Sequence, residues 1–208
     1  MARALALGFL VGFPIAAAPG PIFFLTLRRT LVRGWVSGLV SGLGVATGDA
    51  IYAALAAFGV ATVTSFLVAE RRWIGLAGGV AIGLIGLRTM FSRRGPHPDP
   101  PPEAEGMSRS QVAGAYGSMV ALTLANPPTI LSFIAVFAAL GLRVGAGWLP
   151  ALALVAGVML GSALWWVVLT TIVAVLRERV TLAITHAIGF AAGLALMAFG
   201  ILISLQSV

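Results

Sequence analysis

The sequence contains no cysteine and no lysine, and it carries little charge of either sign. Only 9% of its 208 residues are charged, whereas soluble domains carry about 25%. The absence of cysteine excludes disulfides, thiolate metal sites and thiol redox chemistry. The scarcity of charge leaves no room for a soluble catalytic domain, a nucleotide-binding cassette or an extended surface for binding other macromolecules.

The basic residues are all arginine, and they give the chain a net charge of +7. In a soluble protein this charge would suggest nucleic-acid binding. Most of the 13 arginines, however, stand at the ends of apolar runs, where basic residues set the orientation of a membrane protein. Nucleic acid is therefore excluded as a partner, and the lipid bilayer is expected in its place.

Apolar residues dominate the chain, which is 60% hydrophobic. Four stretches contain no Asp, Glu, Lys or Arg, namely residues 4–27, 110–142, 144–176 and 180–208. Each is long enough to cross a bilayer, because about 20 apolar residues suffice. The sequence therefore predicts an integral membrane protein whose activity resides within the membrane.

The order of apolar runs and helix breakers predicts an all-α protein with six transmembrane helices. The expected ranges are about 4–27, 35–68, 73–91, 112–140, 147–176 and 182–205. A proline-rich polar linker at residues 92–111 separates a first three-helix unit, residues 1–91, from a second, residues 112–208.

The two units share a pattern of glycines. In the first, Gly34-Trp35 is followed by Gly44, Gly48 and Asp49; in the second, Gly147-Trp148 is followed at the same spacing by Gly157, Gly161 and Ser162. With one extra residue, the pattern continues from Gly75, Gly79 and Gly86 to Gly189, Gly193 and Gly200. Three helices per repeat is an odd number, so the second copy is expected upside down. Inverted repeats are typical of secondary transporters, whose substrate site lies near the midplane.

Asp49 is the one acid expected inside a span. A charge there costs about 2.5–3.5 kcal/mol on insertion scales, so the carboxyl must face a cavity, pair with another group or stay protonated. This favours a proton carrier or a counter-charge for a substrate ammonium group. The alternative is a structural Asp that bonds to Thr47 or to the nearby backbone. Gly48, next to Asp49, is included in the candidate site.

Two proline motifs interrupt apolar runs at corresponding places, Pro19-Gly20-Pro21 in the first half and Asn126-Pro127-Pro128 in the second. Proline removes backbone donors, and irregular backbone at membrane depth is tolerated only where protein buries it or where it lines a cavity. A half-helix that begins after such a break directs its amides toward an anion such as a substrate carboxylate. The alternative is a kink that serves only helix packing.

Tyr52 and Trp165 lie at matching places, three residues beyond Asp49 and Ser162. Both are candidates to line a pocket for a cation, although core or interfacial aromatics are commoner. The glycines themselves are typical of close helix packing. No metal site, catalytic triad or phosphate-binding loop is legible, so we expect no cofactor and no enzymatic activity.

Together, Pro19-Gly20-Pro21, Gly48-Asp49, Gly86-Leu87-Arg88 and Asn126-Pro127 resemble the lysine exporter (LysE/RhtB) family of amino-acid exporters. The likeness covers nearly the whole chain. It implies six helices and export of amino acids or related metabolites, driven by proton antiport. The sequence departs from the family at Ile22, where many members have Asn, and at Pro128, where Lys is frequent.

These observations lead to the hypothesis of an inner-membrane exporter of small zwitterions that works by alternating access. Asp49 is expected to couple protons or bind the substrate ammonium, and Gly20, Pro21, Asn126 and Pro127 to shape the site. The expected partners are the solute, protons and lipid, with a homo-oligomer as an option. The alternatives are an exporter of divalent metals or other cations, which a single acid disfavours, and a membrane scaffold or enzyme.

The arginine distribution predicts where the termini lie. One side receives nine, Arg28, Arg29, Arg33, Arg88, Arg93, Arg94, Arg109, Arg177 and Arg179, and the other receives four, Arg3, Arg71, Arg72 and Arg143. The richer side is cytoplasmic by the positive-inside rule, so both termini face the periplasm. In a bacterial host, alkaline phosphatase fused after Val208 is expected to be active, and green fluorescent protein fused there to be dark. The reverse result would contradict both the orientation and the even number of spans.

Overall fold

The computed structural model describes residues 1–58, 70–90, 107–126, 129–130, 132–133, 136, 147–177 and 182–206. These residues form seven helices of at least 13 residues and no strand. The helices are α1 (Ala2–Ala17), α2 (Pro21–Arg33), α3 (Trp35–Ala57), α4 (Arg71–Met90), α5 (Arg109–Leu124), α6 (Trp148–Arg177) and α7 (Leu182–Gln206).

Within the described part, α3 and the Trp148–Leu176 portion of α6 are each long and apolar enough to cross a membrane. The helices α1 and α2 meet at an angle of 75° and can together form one further, broken span. The predicted single helix at 4–27 is therefore two helices. The expected continuation of the second helix to residue 68 lies outside the described residues, as do residues 92–106 of the linker.

The predicted fourth helix, 112–140, differs from the observed one at both ends. The helix α5 begins earlier, at Arg109, because Ser108 and Gln111 form a reciprocal capping box in which each side chain accepts the other's backbone N–H. The last residues assigned to the linker are consequently helical. The helix ends at Leu124, just before the second proline motif.

Glycines set the contacts between the first helix and the sixth. A Cβ at Gly8 would meet the Leu154 carbonyl oxygen, and one at Gly161 would lie 2.5 Å from the Phe9 carbonyl oxygen. Because the sequence numbers rise together along the contact, α1 and α6 run in the same direction. The two backbones approach to a distance that only glycine permits.

The third and fifth helices form a corresponding contact. Gly44 faces Tyr116 and Met119, and Gly48 faces Thr123, so α3 and α5 also run in the same direction. In both pairs, the helix that follows the Gly-Trp motif of one half packs on the first helix of the other half. These are α6 on α1 and α3 on α5.

Two further contacts are antiparallel. Gly38 and Gly42 of α3 face Thr170 and Trp166 of α6 in reverse order. Between the last helices, Gly79 of α4 packs on Gly200 of α7, and Gly86 packs on Gly193. In the repeat, Gly79 corresponds to Gly193 and Gly86 corresponds to Gly200. The contacts therefore pair Gly79 with the counterpart of Gly86, and Gly86 with the counterpart of Gly79.

The starts of α3 and α6 are alike. Gly34 has φ 89° and Gly147 has φ 94°, and these are the only positive φ values in the described part of the chain. A side chain is disfavoured in this left-handed region, which explains a glycine at both positions. The expected similarity of Gly34-Trp35 and Gly147-Trp148 is therefore present in the backbone.

One core cluster contains side chains from all seven helices. Its members are Ala16, Ile22, Leu25, Val45, Ile82, Met119, Leu122, Trp166 and Leu196. Many large apolar side chains point outward, for example Leu160, Ile172 and Leu202, each at least half exposed. An outward apolar surface of this kind suits a lipid environment.

A glycine comparison tests the close packing of α1 on α6. A Cβ in Gly12→Ala would lie 2.8 Å from the Val158 Cα, and backbone atoms cannot give way, so the free energy of unfolding is expected to fall by about 1–3 kcal/mol. No atom lies within 4 Å of the place that a Cβ of Gly117 would occupy, so Gly117→Ala is expected to gain about 0.5–1 kcal/mol of helix propensity. Thermal unfolding in detergent measures both. Shifts of the same sign and size would contradict the packing.

Candidate functional site

A carboxyl and a hydroxyl meet where α3 crosses α6. The Ser162 hydroxyl donates a hydrogen bond of 2.7 Å to the carboxylate of Asp49. Asp49 is 2% exposed and Ser162 is fully buried. The two residues occupy corresponding positions of the two halves, so the repeat pattern brings its own counterparts into contact.

Thr47 was the local partner considered for Asp49, but no hydrogen bond joins the two side chains. Thr47 uses its hydroxyl elsewhere: it donates to the Leu43 carbonyl at 3.0 Å and lies 2.7 Å from the Tyr116 hydroxyl. The partner observed for Asp49 comes from the other half of the chain. A bond between halves changes when the halves move, whereas a bond within α3 would not.

The first break lies between α1 and α2. Gly20 is the N-cap of α2 in extended conformation, and Pro21 is its first residue, where a missing N–H is tolerated. Pro19 is exposed and Pro21 is buried. No atom lies within 4 Å of the position that a Cβ of Gly20 would take. The first amides of α2, which have no carbonyl partner in their own helix, therefore begin beside open space.

The second break follows α5. The Asn126 amide donates to the Thr129 hydroxyl at 2.8 Å, and the Asn126 carbonyl accepts the Thr129 N–H at 3.0 Å. The Asn126 Oδ1 and the Thr123 hydroxyl are buried and have no hydrogen-bond partner among the described residues. Pro127 lies outside the described residues. Within the described part of the chain, two polar oxygens at this break are thus left without a donor.

Tyr52 contacts this second break. Its hydroxyl donates to the Leu124 carbonyl at 2.6 Å, and its ring lies 6.0 Å from that of Phe133. In an uninterrupted helix the N–H of residue 128 would bond to that carbonyl, but Pro128 has none. Tyr52 therefore satisfies a backbone group that the proline motif leaves open.

Trp165, the counterpart of Tyr52, packs against the first helix. Its ring stands edge-on to Phe13 with 5.6 Å between centroids. The indole N–H is buried and has no partner in the described part of the structure. Each of the two aromatic residues thus contacts the first helix of the opposite half. Of their two polar atoms, the Tyr52 hydroxyl alone has a hydrogen-bond partner among the described residues.

The structure brings several of the predicted residues together. Asp49, Gly48 and Tyr52 share one helix and contact α6 and α5, and Tyr52 links them to the Asn126 break. The Pro19–Pro21 break is not joined to this group by a described hydrogen bond; Ile22, which follows it, belongs to the core cluster, and that cluster contains neither Asp49 nor Tyr52. No group of three or more His, Cys, Asp or Glu side chains that could hold a metal occurs among the described residues.

Sequence reasoning missed Arg29, which it treated only as an orientation signal. Its guanidinium is half-buried and donates to the Ser41 hydroxyl at 3.0 Å, the Ala115 carbonyl at 2.9 Å and the Ser118 hydroxyl at 2.9 Å. The sequence did contain a signal. Arg29 follows the apolar Ile22 and Leu25 at helical spacing, which puts it on the face of α2 that those two residues bury.

Comparison with known proteins adds the following findings. The family model described as LysE type translocator matches residues 13–207. The chain is 32% identical over 180 residues to the chemotactic transduction protein ChpE of Pseudomonas aeruginosa, covering 83% of each protein. It is 30% identical over 152 residues to the uncharacterized membrane protein YahN of Escherichia coli K12, covering 73% of this chain and 66% of YahN. No solved structure matches.

The two tyrosines of the chain allow a matched test of the break. Tyr52→Phe leaves the partly buried Leu124 carbonyl without its donor, which is expected to lower the free energy of unfolding by about 1–3 kcal/mol. Tyr116→Phe removes an exposed hydroxyl whose partner, Thr47, keeps its bond to Leu43, so a loss below about 1 kcal/mol is expected. Thermal unfolding in detergent measures both, and equal losses would remove the special role of Tyr52.

Proposed function

The chain belongs to the LysE type translocator family, and from this premise we propose that it exports amino acids or related zwitterionic metabolites across the inner membrane by proton antiport. Membership of the family makes the protein a multi-pass membrane transport protein, at the level of the family, and not an enzyme. The observation that carries the finer proposal is the buried Asp49–Ser162 pair at the crossing of α3 and α6.

The proposed architecture is two inverted repeats, residues 1–91 and 112–208, joined by the linker at 92–111, with six spans and both termini in the periplasm. Three observations support it. The contact of α1 with α6 corresponds to that of α5 with α3, the antiparallel contact of α4 with α7 exchanges corresponding glycines, and Gly34 and Gly147 share one conformation. A pseudo-two-fold axis in the membrane plane would produce all three.

We assign the coupling step to Asp49, the one acid in the described helices. A carboxyl at membrane depth is stable when protonated or when a cation neutralises it. A proton and a substrate ammonium group would therefore occupy it in turn, which is the requirement for antiport. The Ser162 hydroxyl can donate to the carboxylate, as observed, and can turn to accept from the carboxylic acid.

The remaining parts of the proposed site are the two breaks. Open space beside Gly20 and the free amides at the start of α2 suit the negative end of a zwitterion. The Asn126 Oδ1 and the Trp165 indole N–H, which have no partner among the described residues, would supply one acceptor and one donor for the rest of the solute. Gly48 keeps α5 close to Asp49 and so holds the second break near the acid.

Counterflow in proteoliposomes tests this function. Vesicles that contain the purified protein are loaded with L-leucine, L-threonine or L-lysine, and accumulation of the same radiolabelled amino acid is measured. Accumulation above that of protein-free vesicles for at least one amino acid is expected. Absence of counterflow for all of them, together with transport of a divalent cation, would favour the alternative of a cation exporter.

Asp49→Asn separates proton coupling from packing, because Asn keeps the size and hydrogen bonding of Asp but cannot ionise. An inward proton gradient is expected to accelerate efflux at least roughly tenfold in the wild type, and a tenfold change corresponds to about 1.4 kcal/mol of driving free energy. No acceleration is expected in Asp49→Asn. Glu70→Gln, which removes an acid outside the helices, is expected to behave like the wild type. Wild-type acceleration in Asp49→Asn would falsify the coupling role.

A further inference from the structure

We propose that Arg29 is a recognition site for the carboxylate of the transported solute on its way from the cytoplasm. The inference rests on the proposed function and on the proposed orientation, and it adds a site that lies apart from Asp49. Its basis is a half-buried cation whose partners among the described residues are neutral oxygens.

One edge of the guanidinium is anchored. The Nη1 nitrogen donates both to the Ser41 hydroxyl and to the Ala115 carbonyl, and both residues are buried. These bonds join α2 to α3 and α5 and hold the planar group in one orientation. A guanidinium whose plane is fixed in advance is suited to a planar, two-oxygen anion.

The other edge is exchangeable. The Nη2 nitrogen donates to the hydroxyl of Ser118, a residue on the exposed face of α5. A carboxylate oxygen could replace this neutral acceptor without disturbing the two bonds of Nη1. The exchange is favourable because a hydrogen bond between two charged groups is roughly twice as strong as one with a neutral acceptor.

Arg29 has no carboxylate partner among the described residues. The acid on the neighbouring helix, Asp49, lies eight residues beyond Ser41 along α3, which corresponds to about 12 Å. A cation that is partly removed from water gains from an anion, and the described part of the chain supplies none here. The charge is therefore available to a solute.

The position of Arg29 relates it to the first break. Arg29 and Pro21 lie two turns apart on α2, about 12 Å along the helix. A carboxylate that leaves Arg29 along this helix reaches the amides beside Gly20. Arg28, the preceding residue on the same helix, adds positive potential beside Arg29.

The experiment uses inside-out proteoliposomes, in which the cytoplasmic face is outward. Counterflow of L-leucine, L-threonine or L-lysine is inhibited from this face by the unlabelled amino acid or by its carboxamide, which keeps the ammonium group and lacks the carboxylate. In Arg29→Gln, the Ki of the amino acid is expected to rise roughly 10- to 100-fold, because a hydrogen bond to a charged group contributes about 1.5–3 kcal/mol. The Ki of the carboxamide is expected to stay within twofold.

Arg33→Gln is the matched control, because it removes an exposed arginine from the same helix. Both Ki values are expected to remain those of the wild type. Arg29→Lys keeps the charge but loses the planar fork, and an intermediate rise for the amino acid alone is expected. This variant replaces Arg29→Gln in the comparison if the latter does not yield folded protein.

Other outcomes would overturn the inference. Equal rises for the amino acid and its carboxamide would make Arg29 a structural clamp, and no rise would exclude contact with the carboxylate. An effect seen in vesicles with phosphatidylglycerol but absent in phosphatidylcholine would assign Arg29 to a lipid phosphate. If the wild type transports none of the three amino acids, the proposed function fails and this inference fails with it. Transport by the wild type with unchanged discrimination in the variant refutes this inference alone.

Discussion

Hydrocarbon supplies no hydrogen-bond partner, so several of the polar groups that this chain carries into its helices are held by one another. Ser162 bonds the carboxyl of Asp49, Tyr52 bonds the carbonyl that Pro128 leaves open, and Ser41 bonds Arg29. The helix α3 takes part in all three bonds, with α6, α5 and α2 as its partners. The helix that carries Asp49 therefore also bonds to α2, which follows the first break, and to α5, which precedes the second. A displacement of Asp49 would be transmitted through these bonds to both halves.

Backbone packing in the two halves is similar, whereas the side chains at the matching positions differ. Close contacts at Gly48 and Gly161 bring the first helix of the opposite half against α3 and α6. On this common frame Asp49 corresponds to Ser162, and Tyr52 corresponds to Trp165. One half thus supplies the ionisable group and a satisfied hydroxyl, and the other supplies a neutral donor and an indole N–H that has no partner in the described part of the structure. In the proposed antiport, only the first half would therefore carry the group that binds the proton.

Helices and breaks were predictable because hydropathy and proline act locally. The start of α3 at Trp35, the break before Pro21 and the end of α5 before Pro127 all follow from the residues at those points. Partners across the fold were not predictable in the same way. Nothing near Arg29 in the sequence indicates Ala115, which lies 86 residues away, and nothing near Asp49 indicates Ser162 except the repeat. The early start of α5 was legible in Ser108 and Gln111, but the polar composition of the linker concealed the cap. Long-range contacts depend on how the helices assemble, which local composition does not encode.

The packing of α1 on α6 also has a consequence for biosynthesis. Gly8 and Gly12 find their contacts at Leu154 and Val158, almost 150 residues later in the chain. At about 5–20 residues per second, the ribosome needs roughly 7–30 seconds to supply that partner. During this interval the first helix lies in the bilayer with its glycine face against lipid or against chaperoning membrane proteins. The native contact of α1 with α6 can therefore form only after most of the second half has been synthesised.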